Sequence, residues 1–353
     1  MRRRRWVRIG RGAALLAPLT LILGGCSRAQ WERNLRFGFP SGVTKQSHEI
    51  RVLWTWAGVT ALALGAIVWG LIFWCVIRYR KKDDALPRQT KYNFTVEAVC
   101  FTFPFIVIAG LFYRTVVVEN DVNKLSANPQ VRVQVDAFKW DWQFEYHQYT
   151  DKNTGNVVNT YYPGQRNLTA EKVTGEHVCD EASSNISVNC GASGGDDTAT
   201  GRLYISTVGS QNEIPILVIP VNRSVRFVEH SEDVIHSFWV PEFLFKRDVI
   251  PFGTTSTARD NQFEITATHI GNYVGRCAEL CGTYHSQMNF EVRVVPYWQF
   301  VKYVHALRTI GPIDPNRQAK ALTMADFKHP YATTTYPLET DRTARHASQR
   351  PGG

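Results

Sequence analysis

Residues 52–77 read VLWTWAGVTALALGAIVWGLIFWCVI, 26 positions without a charge. At 1.5 Å rise per residue such a run forms a helix about 39 Å long, enough to cross roughly 30 Å of hydrocarbon with some tilt. In lipid every backbone polar group must pair within its own segment, so this stretch predicts a membrane-spanning helix. A second run, TVEAVCFTFPFIVIAGLFYRTVVV at 95–118, has Glu97 and Arg114 near its ends and Pro104 inside. Both charges can reach an interface and proline is tolerated in membrane helices, so it predicts a second span. The intervening RYRKKDDALPRQTK carries six Lys/Arg against two Asp. By the positive-inside rule that loop is cytoplasmic, and both the N-terminal segment and everything after about residue 119 lie outside.

The chain begins MRRRRWVRIGRGAALLAPLTLILGGC. An arginine-rich start before an apolar stretch too short to span predicts a signal peptide over residues 1–25. The LGGC ending resembles a bacterial lipobox, in which Cys26 would be acylated; ordinary cleavage beside an incidental cysteine is the alternative. The formal charge of +9 describes no single surface, because six arginines fall in residues 1–25. Residues 119–295 hold 14 Lys/Arg against 22 Asp/Glu, a balance of −8. Basic charge therefore belongs to targeting, membrane-side loops and a tail, which argues against nucleic-acid binding.

After Pro129 the pattern changes to period-two alternation in VRVQVDAF, EIPILVIPVNRSVRFVEH, NQFEITATH and MNFEVRVV. Short β-branched runs between Gly, Pro, Asn and Asp predict an antiparallel sandwich or barrel. The expected organisation is an extracytoplasmic N-terminal segment at 26–50, a helical hairpin at 51–118, and a β domain at 119–298 with an insertion at 150–210. An extension follows at 299–353, in which FVKYVHALRTI suggests one short helix, and it is either a docking arm for a partner subunit or disordered. Cys75 and Cys100 fall in the spans, where packing is the default. Cys179 and Cys190 lie in the polar insertion, in an oxidising compartment, and predict a disulfide.

Residues 277–288, CAELCGTYHSQM, have the spacing C-x3-C-x3-H-x2-M. Cysteine and methionine are soft ligands and histidine suits copper, whereas a structural zinc site has no use for the Met288 thioether. A mononuclear blue-copper site takes one cysteine, so two thiolates instead suit a pair of bridged copper ions. Further histidine is required, and SEDVIHSFWVP offers His236. The candidate set is His236, Cys277, Cys281, His285 and Met288. Taken singly, the cysteines would equally make a disulfide or part of a zinc site, and Met288 would be core.

SEDVIHSFWVPEFLFKRDVIPFG followed by CAELCGTYHSQM resembles subunit II of cytochrome c oxidase, over residues 50–300. The resemblance implies a two-helix transmembrane hairpin followed by a cupredoxin-like Greek-key β-sandwich, with a dinuclear copper A centre. It implies Cys277 and Cys281 as bridging ligands, His236 and His285 on one copper each, and Met288 with the Glu279 carbonyl as weak ligands. The Glu279 side chain would reach a magnesium ion shared with subunit I. In FKWDWQFEY, at 138–146, Trp140 aligns with the tryptophan that receives electrons from cytochrome c, with Trp142 packed beneath it. Asp141 departs from the family's usual tyrosine, leaving the surface there open. Glu145, Asp151, Glu232 and Asp233 are candidates for attracting a basic cytochrome. Glu97 aligns with a glutamate at the mouth of a proton path, though an interfacial anchor would place an acid there too.

The implied function is that of an electron-accepting subunit of a haem-copper terminal oxidase in a bacterial cell membrane. It would take electrons from cytochrome c, soluble or tethered, and pass them to haem in subunit I, where oxygen becomes water and protons are pumped. Subunit III would be a further partner. No C-x-x-C-H run is present, so covalent haem is not expected in this chain. A quinol-oxidase subunit would lack the copper ligands. A copper-storage module would leave the hairpin, Glu97 and Trp140 without a role, and a nitrous-oxide reductase would need a longer upstream domain.

Overall fold

The computed structural model describes residues 38–81, 89–160, 204–210, 213–251, 261–312 and 314–334, together with Gln30, Arg36, Asp84 and Leu86. The signal peptide, Cys26, the Cys179–Cys190 disulfide, most of the 150–210 insertion and the end of the tail lie outside the described residues. The chain divides into two units, one built on residues 51–111 and the other on 42–50 with 112 onward.

Helices α1 (Lys45–Arg78) and α2 (Phe94–Val122) are both long and apolar enough to cross a membrane. Thr44 and Ser47 start α1 reciprocally: the Thr44 hydroxyl accepts from Ser47 N at 2.9 Å, and the Ser47 hydroxyl accepts from Thr44 N at 2.9 Å. Both orphan amides are thereby satisfied before the apolar run begins. Asn93 caps α2 by accepting from Val96 N at 3.3 Å, while Glu97 Oε1 accepts from Asn93 N at 3.0 Å. Cys75 and Cys100 are free thiols on the outer surfaces of these helices.

The second unit is a pair of β-sheets. The first contains β1 (Val131–Phe138), β2 (Asp141–Thr150), β3 (Val157–Asn159), β4 (Ile205–Val208), β6 (Ser224–Ser231) and β9 (Gln262–Thr266). Its order is β3-β2-β1-β6-β9, with β4 also on β2. The second contains β5 (Ile216–Pro220), β7 (His236–Val240), β8 (Phe245–Val249), β10 (Gly271–Cys277) and β11 (Asn289–Val295), in the order β5-β11-β10-β7-β8. Alternation along β1 puts Val131, Val133, Val135 and Ala137 into the core. Phe227, Phe238, Phe263 and Phe290 meet between the sheets, with Phe238 stacked on Phe290 at 4.7 Å.

Two features differ from the expected antiparallel sandwich with a separate tail. β1 pairs with β6 and β5 with β11 in parallel. Alternation of apolar residues is the same for either strand direction, so the pattern could not distinguish them. The segment after the last strand forms α3 (Tyr297–Ile310) and α4 (Arg317–Met324). Phe300, Tyr303, Val304 and Leu307 are buried at helical spacing, and Tyr303 OH lies 2.9 Å from Thr207 Oγ1. Gln318 accepts from Ile216 N at 2.7 Å and donates to Ile214 O at 3.1 Å, which satisfies backbone of β5 and the residues before it. Through residue 334 this segment is therefore packed domain rather than a free arm.

Candidate metal centre

β10 ends at Cys277, whose amide donates to Met288 O at 3.0 Å and closes the ligand loop at its base. Ala278 N donates to Ser237 O at 3.0 Å, which ties the loop to β7 beside His236. The far side is a 3-10 turn, His285–Gln287, closed by Met288 N to His285 O at 3.2 Å. Backbone hydrogen bonds thus bring ligand types from two strands and one turn to a single end of the sandwich.

The two sulfurs face each other at 3.8 Å as free thiols. His236 Nδ1 lies 3.9 Å from Cys277 Sγ, and His285 Nδ1 lies 3.4 Å from Cys281 Sγ. Cys277 Sγ also lies 3.2 Å from Glu279 O, and Cys281 Sγ lies 3.7 Å from Met288 Sδ. His236, Cys277 and Cys281 offer ligand atoms within 4.8 Å of one another, a partial metal-binding cluster, and all three are buried. His285 is half-buried and the Glu279 side chain points to solvent. Apart from that side chain, the expected ligands converge.

The thiols are electrostatically linked. A hydrogen bond from Cys281 holds Cys277 down to about 4 against the effect of burial, with His236 adding to the shift. The same bond, with burial, pushes Cys281 up. The two titrations are therefore linked, and a bound cation would displace the thiol protons. Burial disfavours the charged form of His236, but hydrogen bonds to Asp233 and Cys277 outweigh it and raise its pKa. Burial likewise opposes charge on Asp233, yet bonds from His236, Val234 N and Lys139 N hold its carboxyl below the usual range.

Asp233, a candidate acid for attracting a basic cytochrome, is exposed and also has a contact that the sequence did not show. It accepts from His236 Nε2 at 2.8 Å and from Lys139 N at 2.8 Å. Orienting a ligand histidine through its second nitrogen is a common use of carboxylate, and the acid three residues before His236 was its only sequence signal. Glu145 is a correction: expected at the surface, it is buried on β2 with Gln143 Nε2 at 2.5 Å and His147 at 3.4 Å. Glu232 lies 3.5 Å from His230, and Asp151 accepts turn amides from Asn153 and Thr154.

Trp140 is half-buried and donates its indole N–H to Cys281 O at 3.1 Å. Trp142 is fully buried under the ligand loop, with its N–H 3.3 Å from Met288 O and its ring 5.2 Å from Phe290. Asp141, which stands where the family often has tyrosine, is buried and accepts from Trp142 N at 2.9 Å.

Two apolar helices followed by curled sheets carrying a histidine–cysteine cluster from β7 and from the end of β10 with the loop after it define a membrane-anchored, cupredoxin-like protein. The family described as cytochrome C oxidase subunit II, periplasmic domain, matches residues 201–295. The probable cytochrome c oxidase subunit 2 of Nocardia farcinica is 42% identical over 358 residues, 97% of this chain and 91% of that one. Cytochrome c oxidase subunit 2 of Mycobacterium tuberculosis is 39% identical over 333 residues, 94% of this chain and 88% of that one. The solved periplasmic domain of subunit II of cytochrome oxidase from Bradyrhizobium japonicum is 21% identical, covering 53% of this chain and 99% of that one with a TM-score of 0.30. The chain belongs to the cytochrome c oxidase subunit 2 family. It is an electron-transfer subunit of a haem-copper oxidase, passing electrons toward subunit I, in a multi-pass membrane protein with its cupredoxin-like domain outside the cytoplasm.

Proposed function

We propose that this chain accepts single electrons from cytochrome c at a dinuclear copper A centre and hands them to haem in subunit I. The observation that carries the reading is the pair of buried free thiols 3.8 Å apart, with a histidine Nδ1 near each sulfur. His236, Cys277, Cys281 and His285 would be the strong ligands, and Met288 with the Glu279 carbonyl the weak ones. These donors fit copper better than zinc, since a thioether and a carbonyl complete a thiolate–imidazole set.

Held by these residues, a copper pair would supply one-electron chemistry shared over two metals, so that little rearrangement would accompany the arrival and departure of charge. The chain's residues supply the rest. Buried Cys277, Cys281 and Met288 exclude water, and the hydrogen-bonded loop base keeps the ligands in place. Trp140 would receive the electron, and its hydrogen bond to Cys281 O links the indole directly to a ligand residue.

Other assignments rest on the family resemblance. The exposed Glu279 side chain would contact a magnesium ion shared with subunit I, and subunit III would complete the assembly. Glu97 would stand at a proton-path mouth; its bond to Asn93 N is also a helix cap, so both roles suit the same place. Cys26 would carry lipid and Cys179–Cys190 would be a disulfide. The boundaries proposed are 1–25, 26–50, 51–118 and 119–298 with the insertion at 150–210, followed by the extension at 299–353.

The test is copper per chain in the purified oxidase together with its electron paramagnetic resonance spectrum. Two coppers sharing one unpaired electron, lost in Cys277→Ser and in Cys281→Ser, is the expected result. One copper with a four-line pattern, or none, would overturn the dinuclear reading.

A further inference from the structure

We propose that Tyr284 is a positioning residue that holds the Trp140 indole on the ligand loop, an inference that rests on the reading of Trp140 as electron acceptor. Trp140 lies in the turn between β1 and β2, outside both strands, so strand pairing does not determine where its ring points. Three contacts do. The indole N–H donates to Cys281 O at 3.1 Å. A Cβ at Gly282 would lie 3.2 Å from Trp140 Cζ2 and Nε1, so the bare glycine, at φ +118°, lets the indole rest against the loop backbone. Tyr284 then meets the indole edge to face, with centroids 5.0 Å apart and planes at 85°.

That geometry sets the positive edge of one ring against the negative face of the other, a preferred aromatic arrangement. Tyr284 is 42% exposed, so it is no ordinary core tyrosine. It immediately precedes His285, and Gln287 N donates to its carbonyl at 2.9 Å, so its backbone belongs to the ligand turn itself. Tyr284 and Gly282 thus form a slot, built by the ligand loop, that keeps the indole N–H aimed at the Cys281 carbonyl. Without the Tyr284 ring the indole gains rotamers in which that hydrogen bond is broken, and electron uptake through it slows while the metal ligands are untouched.

The experiment compares Tyr284→Ser, Tyr284→Phe, Trp140→Phe and the Tyr284→Ser/Trp140→Phe double variant in the assembled oxidase. It reads stopped-flow electron uptake from reduced cytochrome c, the copper paramagnetic spectrum, and the fluorine resonance of 5-fluorotryptophan at Trp140. Tyr284→Ser is expected to slow uptake about two- to tenfold, the range an edge-to-face pair contributes to a population. It should shift the Trp140 resonance and leave the copper spectrum unchanged, and Tyr284→Phe should behave as wild type. In the Trp140→Phe background Tyr284→Ser should add nothing, because two residues acting through one contact are not additive.

An equal slowing by Tyr284→Ser in both backgrounds would overturn the inference, as would a changed copper spectrum, which would place its action on His285. If Trp140→Phe slows uptake and Tyr284→Ser does not, this inference alone falls. If Trp140→Phe leaves uptake at the wild-type rate, the reading of Trp140 falls and this inference with it.

Discussion

Asp233 Oδ1 lies 2.8 Å from His236 Nε2, and the same carboxylate accepts the Lys139 amide through Oδ2 at 2.8 Å. One side chain therefore orients a ligand histidine and anchors the turn that carries Trp140. Removing its charge weakens both restraints without opening the core, since Asp233 is itself partly exposed. Asp233→Asn is expected to lower copper affinity about tenfold, the low end for losing a histidine-orienting carboxylate, because asparagine keeps one acceptor oxygen. Competition against a copper chelator measures it, and affinity within twofold of wild type would show that the pair does not support the ligand.

The ligand loop also depends on a residue with no side chain. A Cβ at Gly275 would fall 2.1 Å from Phe290 Cε2, and Phe290 packs against both Phe238 and Trp142. Gly275→Ala must displace that ring, and overpacking of this kind costs about 1–3 kcal/mol. The displaced ring pushes on Trp142, whose N–H bonds Met288 O, so thermal stability should fall and the copper spectrum should change together. A lower melting temperature with an unchanged spectrum would mean that the aromatic core absorbs the strain.

The candidate metal ligands were legible in the sequence because Cys277, Cys281, His285 and Met288 lie within twelve consecutive positions and no common alternative needs all four. His236 followed because the set was one histidine short. Asp233 and Tyr284 were not legible, since each acts through a contact made only when the β1–β2 turn reaches the loop, and neither bears a motif of its own. Glu145 was misplaced for a related reason. Alternation sets it on the outer face of β2, which sequence alone reads as solvent, while the structure buries it with Gln143 and His147. The helical tail was partly visible, as FVKYVHALRTI suggested one short helix, but the burial of Phe300, Tyr303, Val304 and Leu307 depends on long-range packing.

Glu213 gives the domain a pH dependence of known sign. Burial raises its carboxyl from 4.5 to about 7, against the opposing hydrogen bond from Gln318. The folded state thus holds the proton more tightly than the unfolded chain. Its contribution is most favourable below pH 4.5, and it is lost as pH rises to about 7. The loss is about 3 kcal/mol at most, and less because the group is partly exposed. Melting temperatures at pH 5 and pH 8 should show that fall, and Glu213→Gln, which keeps an acceptor for Gln318, should flatten it. An equal slope in the variant would assign the pH dependence to other groups.

The tail is fastened by a buried ion pair on β11. Glu291 Oε1 accepts from Arg293 Nε at 2.7 Å, and its other oxygen accepts from Thr333 N at 2.6 Å and Thr334 N at 2.8 Å. Arg293 donates onward to His329 O at 2.6 Å and Tyr331 O at 2.7 Å, with its guanidinium 5.3 Å from the Phe327 ring centroid. Arg293→Met removes one partner and leaves a buried carboxylate without its cation, a change that costs about 3–5 kcal/mol in comparable pairs. It should also release residues 327–334, so limited proteolysis should cut there in the variant and not in the wild type. Arg293→Met with Glu291→Leu leaves no buried charge, and should recover much of the melting temperature while the segment stays cleavable. If the double variant is as unstable as the single one, the loss comes from the contacts of the strap and not from the stranded carboxylate.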